Sequence, residues 1–378
     1  MRRSVLLSLL LLIFFLPSWA QMSMQVLVDS LREKGNFPGL SVAIVYKDGS
    51  AAAFVSGYND KEKGTRLKAS DYLMQGSVGK TYASAIALKL VKEGRISLDE
   101  KVSHYLNNYD WFARVPNAAA ITVRMLLNHT SGVMRYEFKD AFLKDLSADP
   151  DKVWTPTDLL AYVLDEKPGF AAGEDWEYSD TNYILLGMII KKVTGRRYYD
   201  LVSEQLIEPF SLTNTRPSDG RWLPGLSQGY AGDANEFGGK DRVIGDDGLF
   251  IVNPQFEWTG GGIHSTTLDL ARWGKLLYEN KVVDTSLLLS SAVTAKLGRD
   301  TKYALGVIIR NTPLGPAYGH SGFFPGYMTE LLYFPSSGIC VAVQCNSSDF
   351  TKLKLSLLRC AMEIGGLVIQ DSKVKTQN

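Results

Sequence analysis

Cysteine is scarce: three residues in 378, Cys340, Cys345 and Cys360, all near the C-terminus. They fit no zinc spacing, and none of His104, His129, His264 or His320 lies in a two-histidine helical motif, so no metal is expected. Cys340 and Cys345 are an odd number of residues apart in one strand pattern and should face opposite sides of a sheet, which prevents their pairing. Either could meet Cys360; otherwise all three are buried thiols acting as small hydrophobes. Net charge is also missing. Lysine and arginine total 41 against 40 acidic residues, so no global field favours nucleic acid or an anionic membrane as a partner. The glycines show no Walker or dinucleotide fingerprint, and no cofactor is expected. Long apolar runs are limited to Val5–Leu16, shorter than the roughly 20 residues a bilayer span needs. With basic Met1-Arg2-Arg3 before it and Pro17-Ser18-Trp19-Ala20 after it, this run reads as a cleavable leader, residues 1–20, cut after Ala20. No cysteine follows the cut, which argues against a lipoprotein. A periplasmic or secreted protein without an integral membrane span follows.

What is present is ordinary globular composition, 45% hydrophobic and 21% charged, in a chain long enough for a large core. Residues 39–58 read as two strands joined by an Asp-Gly turn. A second strand-rich block covers Tyr303–Arg310, Ala317–His320, Met328–Phe334 and Ile339–Gln344, closed by a helix over about 350–364. Between them the pattern is helical, at 81–93, 123–127, 156–165, 182–193, 198–208 and 267–278. Strands at both ends around a helical middle predict an α+β fold, an α/β sandwich. Its antiparallel sheet is built from N- and C-terminal strands flanked by helices, with a mostly helical lobe inserted. The expected division of 21–378, one catalytic domain, is an α/β part at about 21–95 and 265–378, and a lobe with cleft loops at about 96–264. Residues 213–262, rich in glycine, aspartate, asparagine and aromatics, should rim the cleft between sheet and lobe.

One short stretch organises the rest. In Met74-Gln75-Gly76-Ser77-Val78-Gly79-Lys80 a strand-like run passes into a helix, and Lys80 falls three residues after Ser77, on the same face. A serine hydroxyl is a weak nucleophile unless a base adjoins it, and a desolvated lysine can serve or assist. Ser77 is the candidate nucleophile; Ser-x-x-Lys alone is too common to decide against a helix-capping serine. Two further motifs follow in order: Tyr178-Ser179-Asp180 before a helix, and His320-Ser321-Gly322-Phe323 where an edge strand is expected to end in glycines. His129, after an apolar helix and before Ser-Gly, reads as a structural turn residue. The triple glycine before His264 reads as packing or a turn.

Ser-x-x-Lys, Tyr-x-Asp and His-x-Gly in this order resemble the serine β-lactamase and penicillin-binding-protein superfamily, specifically its class C-like branch. That branch also holds DD-carboxypeptidases, D-aminopeptidases and carboxylesterases. Residues 121–132 and Gly260-Gly261-Gly262-Ile263-His264-Ser265-Thr266 resemble family segments too, so the likeness spans nearly all of the mature chain. The resemblance implies that Ser77 forms an acyl-enzyme with an amide or ester, Lys80 and Tyr178 share proton transfer, and the backbone N–H groups of Ser77 and Phe323 form an oxyanion hole. Asp180, His320, Ser321, Gly322 and Phe323 would line the substrate site, and a small molecule or peptide would be the partner. Two departures bear on substrate. Asp180 replaces the asparagine of class C β-lactamases and can pair with Lys80, which weakens the case for β-lactams. His320 replaces a lysine and draws a substrate carboxylate less strongly. The activities implied are hydrolysis of a cell-wall D-alanyl peptide, a small ester or a β-lactam; the alternative is a sensor that binds such peptides without turnover.

Overall fold

The computed structural model describes residues 19–233, 235 and 239–377, with side chains described between Ser23 and Ser372. The expected leader therefore lies, except for Trp19 and Ala20, outside the described residues. The expected hairpin forms as β1 (Gly39–Val45) and β2 (Ala51–Asp60), turning at Gly49 with φ 86°, and β3 (Thr65–Arg66) extends it. Three short strands, β4 (Leu73–Met74), β5 (Thr215–Pro217) and β6 (Ile263–Ser265), make a separate small sheet in the order β4-β6-β5. Then come β7 (Val293–Thr294), β8 (Thr301–Tyr303), β9 (Ile308–Thr312), β10 (Gly315–Phe324), β11 (Tyr327–Phe334) and β12 (Ile339–Cys345). The main sheet runs β3-β2-β1-β12-β11-β10-β9-β8-β7, with β1 antiparallel to β12 in the register Leu40↔Cys345. The two ends of the chain thus share one sheet, as expected.

Some of the expected elements differ. The single strand expected at 303–310 is split: Ala304 N–H donates to Val307 O at 2.8 Å and Gly306 takes φ 81°, a turn that separates β8 from β9. The helix expected from 350 begins at Leu357 and runs to Gln377. Asp349 diverts the chain before it, accepting from the Thr351 N–H at 3.1 Å, and the Ser356 hydroxyl caps the helix by accepting from the Arg359 N–H. The helix expected at 156–165 also ends early, at Leu160, because the residues beyond it form turns that close with Asp165 at φ 63°.

Helices cover both faces of the sheet. Helix α1 (Trp19–Gly35) and the C-terminal helix bury Met24, Val28, Leu31, Cys360 and Ile364 against Val42, Ile44, Val341 and Val343. On the other face lie α2 (Lys80–Lys92), α3 (Asp180–Thr194) and α4 (Thr267–Tyr278), packed with Ala43, Leu331, Cys340 and Ala342. The C-terminal helix is α5 (Leu357–Gln377). Cys340 and Cys345 do sit on opposite faces, and all three cysteines are buried and free. Helices α2 and α3 are buried on almost every side, since residues 80–88 and 180–190 are all buried. Such helices need apolar residues around the whole circumference, so a charged residue on either one demands a partner. Among the described residues no helix is long and apolar enough to cross a membrane, and no group of histidine, cysteine, aspartate and glutamate could hold a metal ion.

Candidate active site

Ser77 sits in a 3-10 turn, Gly76–Gly79, that feeds directly into α2; its side chain caps neither element. It is thus neither a capping serine nor the first residue of the α-helix. The turn is held by hydrogen bonds to two strands, β11 and β6. The Thr329 hydroxyl of β11 donates to Met74 O at 3.1 Å, the Gln75 N–H donates to Ile263 O at 3.0 Å, and the Gln75 side chain donates to the Ser265 hydroxyl at 2.8 Å. Backbone packs on backbone around it. Gly76 adopts φ 52°, a conformation that favours glycine, and a Cβ at Gly322 would collide with the Gln75 carbonyl oxygen. The Phe323 amide nitrogen consequently lies against Gly76, one residue from the serine.

Lys80 is fully buried, and its ammonium meets three acceptors: the Ser77 hydroxyl at 3.2 Å, the Gly260 carbonyl at 2.7 Å, and an Asp180 carboxylate oxygen. Three acceptors match the three donors of a charged lysine. Both partners in this ion pair are first residues of buried helices. The partial positive charge at a helix N-terminus favours Asp180 and disfavours Lys80, so the carboxylate offsets a placement that would otherwise be costly. The triple glycine makes the Gly260 contact reachable: a Cβ at Gly79 would stand 2.8 Å from Gly261 Cα.

The other oxygen of Asp180 takes Arg135 at 3.1 Å, and Arg135 also holds Glu137 at 2.6 Å. Burial by itself would raise the Asp180 carboxyl; Lys80 foremost, with Glu137 and Arg135, holds it well below the ordinary range. Burial and the Asp180 charge push Glu137 well up, and push Glu257 up to about 8. The cluster thus carries three carboxyls and two cations, its surplus acid relieved by protonation of a glutamate.

The Tyr178 ring lies 4.9 Å from the Lys80 ammonium and 5.3 Å from the Arg135 guanidinium, but its hydroxyl is buried without a hydrogen-bond partner. Burial and Asp180 raise it well above a normal phenol, and the neighbouring Ser77 hydroxyl and Arg135 offset this only in part. The cations touch the ring face, not the oxygen, so the resting side chain is a neutral phenol. His129 explains how Tyr178 is held. It takes φ 63° at the end of the helix Val123–Leu127, its Nδ1 accepts from the Ser179 N–H at 3.3 Å and meets the Asn182 amide at 3.1 Å, and its ring lies 4.3 Å from the Tyr178 ring. It is a turn residue that braces the Tyr-x-Asp segment.

His320 is 1% exposed, with Nδ1 2.6 Å from Ser321 O and Nε2 2.9 Å from the Tyr303 hydroxyl. Burial, then Lys80, lowers it to about 3, so the imidazole is neutral, donates through Nδ1 and accepts from Tyr303. Both of its nitrogens are engaged within the fold, and the residue lines the larger cleft beside Ser77 and Tyr178. The edge expected at the His-x-Gly motif is local. β9 pairs with Gly315–Gly319 only, which leaves residues 320–324 open on that side while β11 holds the other. His264 is buried in β6, its Nδ1 3.1 Å from the Ser218 hydroxyl, away from the serine's contacts.

Ser77 opens into two depressions. A pocket of about 100 Å³ is lined by Phe138, Phe142, Leu143, Leu146 and Phe256 with the charged residues Arg135, Glu137, Asp180 and Glu257. A cleft of about 450 Å³ on the other side is lined by Tyr178, Arg310, Ser321, Phe323 and Glu330. Arg135, Glu137, Glu257, Tyr303, Arg310 and Glu330 were not singled out from the sequence. Arg135 and Glu137 follow closely on the Thr130-Ser131-Gly132 segment, but their partners lie tens of residues away and no local pattern marks them. Of the irregular segment 213–262, Phe256 and Glu257 line the small pocket; residues 234 and 236–238 lie outside the described residues.

A family profile described as Beta-lactamase matches residues 24–359. Penicillin-binding protein 4* of Bacillus subtilis (strain 168) is 26% identical over 351 residues, 90% of this chain and 75% of that protein. A D-stereospecific amidohydrolase from a Streptomyces species superposes with TM-score 0.74 at 26% identity, covering 88% of this chain and 96% of the other. The D-amino acid amidase of Ochrobactrum anthropi SV3 superposes with TM-score 0.77 at 22% identity, covering 96% and 100%.

Proposed function

We propose, because this chain belongs to the beta-lactamase family, that it is an exported serine hydrolase that forms an acyl-enzyme on Ser77 and acts on amides. The observation that carries the reading is the Ser77 hydroxyl held by a triply engaged Lys80 ammonium, beside a Tyr178 hydroxyl that has no other partner. Lys80 has no lone pair to offer in this state and Tyr178 is no phenolate, so neither is a ready base. A relay through the phenol meets both constraints. The Ser77 proton moves to the Tyr178 oxygen as the Tyr178 proton moves to the departing nitrogen; the Ser77 oxygen bonds the carbonyl carbon as the carbon–nitrogen bond breaks. The Lys80 charge stabilises the developing negative charge on the Ser77 oxygen. Hydrolysis runs the same relay in reverse, with water giving its proton to Tyr178 and Tyr178 returning one to Ser77. The Ser77 and Phe323 N–H groups would receive the carbonyl oxygen.

The relay also orients the substrate. The leaving group must lie beside Tyr178, in the larger cleft, and the acyl part in the small apolar pocket. Three carboxyls, of Glu137, Asp180 and Glu257, line that pocket against the one cation Arg135, which suits an acyl part with a free amine whose ammonium would stabilise the two glutamates in their ionised forms. The D-stereospecific amidohydrolase among the structural neighbours supports an amide of a D-amino acid, and the phenylalanines and leucines of the small pocket support an apolar acyl part. A fluorescent phosphonate should label Ser77, and a panel of D-amino acid amides, D-alanyl peptides, short esters and a chromogenic cephalosporin should show turnover highest on the amides. No labelling of Ser77 sinks the nucleophile assignment; labelling without turnover of any substrate favours a peptide sensor.

A further inference from the structure

Three side chains from neighbouring strands meet in the larger cleft and take no part in the chemistry above. Arg310 of β9 lies 3.2 Å from Glu330 of β11 and donates to the Ser321 hydroxyl of β10 at 2.7 Å, while that hydroxyl donates to Glu330 at 2.7 Å. Arg310 is 8% and Glu330 3% exposed, yet all three line the same cleft as Ser77 and Tyr178. An ion pair this deep is weak evidence for stability, because an apolar replacement often does as well or better. The effect of this pair on the cleft is specific. Burial raises the Glu330 carboxyl while Arg310 and the Ser321 hydroxyl act to hold it down, and in its ionised form it neutralises a guanidinium that is otherwise always charged. The Ser321 hydroxyl has one proton, given to Glu330, and two lone pairs, one taken by Arg310, which leaves a single acceptor site for a substrate. The other cation lining the cleft, Arg135, is already bound to Glu137 and Asp180.

We infer that Glu330 selects the leaving group. By cancelling Arg310 and taking the Ser321 proton it makes the cleft receptive to neutral, N–H-bearing leaving groups, such as a carboxamide or the next residue of an internal peptide, and poorly receptive to those ending in a free carboxylate. The inference rests on the assignment of this cleft to the leaving group. Binding to the full chain carrying Ser77→Ala tests it without requiring turnover. Calorimetry with D-alanyl-D-alaninamide and with D-alanyl-D-alanine should show the carboxamide binding about tenfold tighter or better, and Glu330→Gln added to Ser77→Ala should tighten the free acid by about tenfold while leaving the carboxamide within about threefold. Equal affinity for the two ligands, an unchanged free-acid affinity after Glu330→Gln, or no binding of either overturns the inference. If Glu330→Gln does not fold, the comparison of the two ligands on the Ser77→Ala protein decides alone. Failure of the amide-hydrolase reading would appear separately, as wild-type protein that turns over no amide.

Discussion

Asp180→Asn tests the electrostatic account of the site most directly. Asp180 is 5% exposed and gives one oxygen to Lys80 and the other to Arg135. Asparagine keeps one acceptor and turns a donor toward a cation. Breaking a buried pair from one side costs about 3–5 kcal/mol. Glu137 and Glu257 return part of this, since both are pushed up partly by the Asp180 charge and ionise more readily without it. A net loss of about 3 kcal/mol is expected. With an unfolding entropy of roughly 0.8 kcal/mol/K for a chain of 378 residues, the melting temperature should fall by about 4 °C at pH 7. The pH dependence has a fixed sign. The folded carboxyl is depressed, so its stabilisation is fully present above the unfolded value near 3.9 and is lost as pH falls toward the folded value. The gap between wild type and variant should therefore shrink by roughly 1 kcal/mol between pH 5 and pH 3, read by urea titration at each pH. The introduced asparagine also offers an N–H to a substrate carbonyl, so labelling by a fluorescent penicillin should speed up. A variant as stable as wild type at pH 7, or a gap that does not narrow below pH 5, refutes the ion-pair account; an unchanged penicillin rate refutes the account of substrate choice.

Two further substitutions separate chemistry from scaffold. Tyr178→Phe removes a hydroxyl that has no hydrogen-bond partner, so the melting temperature should stay within about 1 °C, while turnover falls by about 10²–10⁴ if the phenol relays the proton. Activity retained within a few-fold of wild type would remove Tyr178 from the mechanism. Gly322→Ala forces a side chain onto the Gln75 carbonyl, which should cost about 1–3 kcal/mol and, by displacing β10 from the serine's turn, slow phosphonate labelling of Ser77 about a hundredfold. Labelling at the wild-type rate would show that the strand does not have to touch that turn.

Local pattern carried the parts of this protein that local physics governs. The Asp-Gly turn between two apolar runs yields the hairpin β1–β2, and the helices at 123–127 and 267–278 have the bounds read from their periodicity. The Ser-x-x-Lys, Tyr-x-Asp and His-x-Gly motifs mark segments that the fold brings around one opening. The missed boundaries have causes beyond any short window: Gly306 breaks a strand-like run into β8 and β9, and Asp349 and Ser356 delay α5. The pairing of Lys80 with Asp180 was foreseeable from residue types, but its consequence was not. A neutral Tyr178, a His320 with both nitrogens occupied, and a Glu257 pushed up to about 8 follow from burial and from charges that arrive from remote segments.

The order of residues determined which reactive groups exist and which turns and helices carry them, because hydrogen bonding at short range and hydrophobic periodicity act along the chain. Tertiary structure decided their charge and their access. Solvent exclusion and Coulomb interactions depend on distance in space, and Arg135, Glu257, Arg310 and Glu330 reach the serine's surroundings only once the sheet and its helices have packed on each other.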